Sequence, residues 1–246
     1  ANHPDLIAAL SEGAQQFGVG SGASHLISGH QTIHDALEEK LAQTQALSIP
    51  KAKALFFSTG YLANISAITA LSNLKSNASK IYSARLNHAS LIDGVRLAKG
   101  QNDATLFIFD HHNLVALEDE LKQDSSQHKL IIIDGVFSMD GDLAPIGALL
   151  QLAERHDALL MVDDAHGFGV LGRHGYGILE DSGLCSERLI YVGTLGKAAG
   201  ISGAFVCANE LLIEWLIQKA RKSTKLVNAV SAVCVPKCMG QQNVPV

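Results

Sequence analysis

Short apolar runs alternate with helix-like stretches along most of the chain. Runs of strand length fall at 54–58, 80–83, 105–109, 130–134, 158–163, 189–193 and 203–208. Between most of them the apolar positions return with a helical period or form a broad apolar stripe. The segment 34–47 places Leu37 and Leu41 on one face, and 63–74 is almost continuously apolar. Helices are also predicted over 4–17, 90–99, 114–122, 146–156 and 210–221, with Pro145 opening the one at 146 because its missing N–H costs nothing there. Short β-rich runs alternating with helices predict an α/β fold, a mostly parallel sheet with helices on both faces. Ligands of such sheets bind beyond the carboxyl ends of the strands.

Composition agrees with a well-covered sheet. Hydrophobic residues make up 47% of the 246 residues and charged residues 17%, against about 25% charged in an average domain. The net charge is -5 with no basic stripe, so no nucleic-acid partner is expected. No apolar run approaches the roughly 18 residues of a membrane span, and the first ten residues lack the basic-then-apolar order of a signal peptide. The four cysteines, Cys185, Cys207, Cys234 and Cys238, have no framework spacing. That fits a reducing cytoplasm. Cys234 and Cys238 could form half a metal site, but no second ligand pair follows, and no metal is expected.

The regular order fails at the ends. Residues 223–246 show neither a helical nor a strand period, and the helix-like start at Pro4 begins abruptly without an initiator Met. The expected organisation is one large domain over 1–222, incomplete at its front, followed by an atypical tail, disordered or frame-shifted, over 223–246.

Candidate chemistry gathers where strands end. Lys197 lies in Thr194-Leu195-Gly196-Lys197-Ala198-Ala199-Gly200, directly after a predicted strand. Small neighbours leave the backbone open to a bulky ligand, and lysine forms Schiff bases once its pKa is lowered. Thr194 can offer a hydroxyl to a phosphate. An ordinary surface lysine in a glycine-rich loop is the plain alternative. Asp163 and His166 stand three apart at the end of the most apolar strand. A carboxylate there needs a partner. A pyridine nitrogen would serve, kept protonated so that the ring acts as an electron sink; a metal or a structural turn would also serve. His88 precedes a predicted helix and could stack on a planar ring or simply be solvated. Ser138 could bond a phenolic oxygen or form a turn. Gly60 and Tyr61 begin a helix, where free N–H groups favour a phosphate. The string Gly167-Phe168-Gly169-Val170-Leu171-Gly172 matches the dinucleotide fingerprint G-x-G-x-x-G, but the residues after it read as loop, and the fingerprint needs a helix. No G-x-S-x-G is present, so a hydrolase elbow is unsupported.

In this order, FSTGYLAN (57–64), NHAS (87–90), GVFSMDGD (135–142), VDDAHG (162–167) and GTLGK (193–197) resemble the α-oxoamine synthases, fold-type I pyridoxal-phosphate enzymes. The resemblance runs from residue 1 to about 221. It implies that Lys197 holds pyridoxal 5'-phosphate as a Schiff base and later moves the substrate Cα proton. It implies that Asp163 pairs with the pyridinium nitrogen, His88 stacks on the ring, and Ser138 and His166 meet the ring oxygen. Gly60, Tyr61 and Thr194 would bind the phosphate region. Lys197, His88 and Asp163 are thus the implied catalytic set. The segment 20–30, GSGASHLISGH, is similar to the branch that joins L-alanine to a pimeloyl thioester, carried on CoA or acyl carrier protein, in biotin biosynthesis. The segment 87–99 is also similar to the branch that joins glycine to acetyl-CoA. The family implies a homodimer with active sites between subunits. It also implies a small C-terminal domain, which this sequence lacks, so a catalytically dead fragment is a further reading.

Overall fold

The computed structural model describes residues 2–23, 25–74 and 79–219. The expected tail over 223–246, with Cys234 and Cys238, lies outside the described residues, as do the last two residues of the helix expected over 210–221.

Seven strands form one sheet: β1 Ala52–Phe57, β2 Ser79–Ala84, β3 Thr105–Phe109, β4 His128–Asp134, β5 Ala158–Asp163, β6 Leu189–Thr194 and β7 Ala204–Asn209. Their order across the sheet is β1-β7-β6-β5-β4-β2-β3. The five strands β3, β2, β4, β5 and β6 run parallel, while β7 is antiparallel to both β6 and β1. All seven strands stand where apolar runs predicted them, with ends shifted by one or two residues.

Eight α-helices accompany the sheet among the described residues: α1 Pro4–Phe17, α2 Thr32–Gln45, α3 Gly60–Leu71, α4 Ala89–Asn102, α5 Val115–Gln123, α6 Ile146–Arg155, α7 Ile178–Ser182 and α8 Glu210–Lys219. Two apolar cores flank the sheet, and strand alternation supplies both. In β4, Ile131 and Ile133 join Leu37 and Leu41 of α2, Leu117 of α5 and Leu149 of α6. Leu130 and Ile132 join Ala67 of α3, Val95 of α4 and Ile213 of α8 on the opposite face. The sheet is therefore apolar on both sides, which is why its strands read as runs rather than alternations. None of the described helices is long and apolar enough to cross a membrane.

Local chemistry sets several boundaries. Thr59 caps α3, its Oγ1 accepting the Leu62 N–H at 3.2 Å, so the helix begins three residues before its apolar stripe. His88 caps α4, with Nδ1 accepting the Ser90 N–H at 3.2 Å. Pro145 is the cap of α6 rather than its first residue. The five-residue α7 and a single π-turn at His25–Gly29 were not predicted, because neither is long enough to carry a period.

Candidate active site

The parallel strands and the starts of α3 and α4 converge on one cavity. Gly60, Tyr61, His88, Ser138, Asp163, His166, Thr194 and Lys197, all singled out from sequence, line it, together with Asn64, Ser90, Asp134, Ala165 and Val192. Asp134 and Asp163 end adjacent strands and are register partners. Thr194 closes β6, and Lys197 follows in the connection to β7.

The floor is acidic and buried. Asp163 is 6% exposed. Its Oδ2 accepts the Asn64 amide at 2.6 Å, and its Oδ1 accepts the Ala165 N–H at 3.1 Å. Burial raises its pKa, opposed by the Asn64 and Ala165 hydrogen bonds and by the Lys197 and His88 charges. Asp134 accepts the His88 N–H at 2.7 Å. Burial, reinforced by the Asp163 charge, pushes its pKa up to about 7. Two carboxyls at neighbouring strand ends cannot both ionise cheaply without a cation between or above them.

The opposite side supplies nitrogen. Lys197 Nζ lies 2.8 Å from His166 Nε2. Burial lowers the Lys197 pKa, with Asp163 and Asp134 opposing. Burial and the nearby Lys197 also lower that of His166, so the imidazole can accept the Lys197 N–H as a neutral ring. At the far end a Cβ built on Gly60 would sit 3.9 Å from Thr194 Oγ1. Any side chain at position 60 would fill the space between the start of α3 and that hydroxyl.

Asp164 has a different task. It is fully buried, and its Oδ2 accepts the Ile178 N–H at 2.7 Å and the Tyr191 hydroxyl at 2.9 Å. It pins α7 and does not line the cavity. The segment after Gly172 continues as turns up to Gly177, so the G-x-G-x-x-G string opens no helix and forms no dinucleotide loop.

Sequence reasoning gave no role to Asn64, Ser90 or Asp134. Asn64 Nδ2 bridges Asp163 to Ser90 Oγ, the latter at 2.9 Å. The signal was available: an amide inside an almost wholly apolar helix must be satisfied internally. Asp134 ends an apolar strand just as Asp163 does.

A sheet of this order, with a lysine, two buried carboxylates and two imidazoles at its carboxyl edge, belongs to a known class. The chain is a member of the aminotransferase class I and II family, whose model matches residues 1–240. Its architecture is that of the large domain of fold-type I pyridoxal-phosphate enzymes. Within that class it is similar to 8-amino-7-oxononanoate synthases. It is 59% identical over 221 residues to 8-amino-7-oxononanoate synthase 2 of Polaromonas sp., covering 90% of this chain and 53% of that protein. The solved 8-amino-7-oxononanoate synthase from Francisella tularensis superposes with a TM-score of 0.77 at 30% identity, over 98% of this chain and 66% of that one. A serine palmitoyltransferase variant from S. paucimobilis with a bound PLP–myriocin aldimine gives a TM-score of 0.84 at 29% identity, over 97% and 60%. The chain spans about half the length of the curated relatives it matches.

Proposed function

We propose that this chain is the cofactor-binding part of a pyridoxal-phosphate-dependent acyltransferase that condenses L-alanine with a pimeloyl thioester, with loss of CO2, to give 8-amino-7-oxononanoate for biotin synthesis. The observation that carries the reading is a lysine amine facing the same cavity as a buried carboxylate that no protein cation hydrogen-bonds among the described residues. The product is supported by the relatives at 52–59% identity, which are 8-amino-7-oxononanoate synthases; the substrates rest on the resemblance of residues 20–30.

The residues suit the cofactor. Asp163, held by Asn64 and Ala165, leaves a buried negative group for a protonated ring nitrogen. Gly60 leaves room beside Thr194 for a phosphate at the start of α3. When bound, pyridoxal phosphate supplies an aldehyde for amines and a pyridinium ring that stabilises negative charge at the substrate Cα. Lys197 Nζ would hold that aldehyde, and its amine would be placed to move the substrate Cα proton. Its lowered pKa raises the fraction of free amine available for both tasks. His88 covers one face of the ring, while Ser138 and His166 orient its hydroxyl. His166 also holds Lys197 in place. Asp134 fixes His88 through its backbone N–H.

A homodimer is part of the same reading. Exposed apolar side chains stand beside the cavity, with Met139 91% exposed next to Ser138 and Tyr61 47% exposed at the start of α3, as a face awaiting a second copy would have. A cytoplasmic site of action follows from the biosynthetic role.

The test is a visible spectrum of the full chain titrated with pyridoxal phosphate. An absorption band of the lysine-bound cofactor, lost in Lys197→Ala, is expected; its absence from folded wild-type protein overturns the cofactor assignment. Thiol release on adding L-alanine and a pimeloyl thioester then tests the substrates, and faster release with glycine and an acetyl thioester refutes them.

A further inference from the structure

Two groups of described residues bring three imidazole or carboxylate ligand atoms within 4.8 Å of one another: His25, His30 and Glu38, and His111, His112 and Asp142. In the first group neither ring nitrogen of His25 has a hydrogen-bond partner among the described residues, but the other two ligands are already engaged. His30 Nε2 lies 2.8 Å from Asp35 Oδ1, and Glu38 Oε1 accepts the Phe56 N–H at 2.8 Å.

The second group is poised differently. The His111 ring is buried and stacks on Phe137 with centroids 4.0 Å apart. Neither of its ring nitrogens has a hydrogen-bond partner among the described residues. A buried polar atom without a partner calls for an explanation, and an unseen ion is one. His112 and Asp142 stand at the surface beside it. His112 Nε2 is 3.4 Å from Asp142 Oδ2, and His111 Nε2 is 4.0 Å from the same oxygen. Zinc bonds of about 2.0–2.2 Å to imidazole and carboxylate, at tetrahedral angles, set neighbouring ligand atoms roughly 3.3–3.5 Å apart. One edge already has that length. The His111–Asp142 edge needs to shorten by roughly half an ångström, within reach of an exposed aspartate side chain, and the imidazole–imidazole edge lies within 4.8 Å.

We propose that His111, His112 and Asp142 form a binding site for a divalent transition cation, Zn2+ being the ion this donor set suits. Two imidazoles and one carboxylate supply three corners of a tetrahedron and leave the fourth to water. The backbone holds the ligands in place beforehand. His111 and His112 sit in a turn closed by the Asn113 N–H on Asp110 O at 3.0 Å. Asp142 sits in a loop closed by the Phe137 N–H on Asp142 O at 3.0 Å and the Gly141 N–H on Phe137 O at 2.8 Å. Ser138 lies in that second loop. A bound ion therefore ties the loop carrying a cavity-lining hydroxyl to the carboxyl end of β3.

The test uses the full chain stripped with a chelator. Zn2+ is titrated against a chromogenic indicator, and Co2+ is followed by its visible absorption. One tight equivalent of Zn2+ is expected for wild type, weakened by at least about tenfold in both His112→Ala and Asp142→Asn, as loss of a ligand should cost no less than loss of an outer-shell partner. Both variants change exposed side chains, so their melting curves should match wild type. His30→Ala should bind like wild type. No binding by wild type, or unchanged affinity in His112→Ala and Asp142→Asn, overturns the proposal. So does a loss confined to His30→Ala.

Discussion

Asn64→Leu isolates the control of the buried carboxylate. The substitution keeps the branched shape of the side chain and removes the amide that donates to Asp163 Oδ2 at 2.6 Å. Asp163 then keeps only the Ala165 N–H at 3.1 Å. A hydrogen bond to a charged group contributes about 1.5–3 kcal/mol, so its loss should push the Asp163 pKa, already raised by burial, further up. The pairing proposed for Asp163 needs the ionised form. At pH values below the shifted pKa the cofactor must bear the added cost of ionising Asp163, and a lost interaction of about 1.5–3 kcal/mol corresponds to roughly ten- to hundredfold weaker binding. A pyridoxal-phosphate titration at pH 7 should therefore show at least about tenfold weaker binding in Asn64→Leu. The deficit should shrink as pH rises and Asp163 ionises in both proteins. The variant also loses the amide's bond to Ser90 Oγ, so some stability should be lost, and a melting curve should establish that it is folded at each pH of the titration. Equal affinity at pH 7, or a deficit that persists unchanged as pH rises, would refute the assigned role of the amide.

Other substitutions test neighbouring parts of the structure. Asp134 has a folded pKa raised to about 7, so the stability it contributes is full below about pH 4 and lost as pH rises through 7. Asp134→Asn should thus gain melting temperature relative to wild type between pH 5 and pH 8, and a pH-independent difference would contradict the raised pKa. Gly177 has φ +98°, and a Cβ there would strike the Asp164 carboxylate and the Tyr191 hydroxyl. Urea denaturation of Gly177→Ala should show a loss of at least about 2 kcal/mol from strain and overpacking; wild-type stability would mean that α7 can move aside.

The sheet was legible because every strand but the edge strand β3 is largely buried on both faces. Apolar runs of four to six residues, broken by helical segments, leave little choice but helices on both sides. Strand direction was less visible, since burial is the same in β6 and β7 whichever way they run. The clue lay in length instead. Residues 195–203 connect β6 to β7, fewer than the dozen or so that a parallel crossover requires. The chain must return antiparallel.

That short return bears directly on the chemistry. A parallel crossover would carry the chain after β6 away over a helix. The antiparallel turn keeps Lys197 at the carboxyl edge, above the strand ends that present Asp134 and Asp163. The ordered motifs marked the residues whose side chains face the ligand, because glycines, histidines and a lysine stand out at strand ends. They were silent on Asn64, whose work is to satisfy another side chain across 99 positions of sequence. Such partners are set by packing between α3 and β5, and no local period encodes that meeting. What sequence could have offered is a rule of accounting: an amide among alanines and isoleucines in α3, and a carboxylate at the mouth of β5, each need a buried partner.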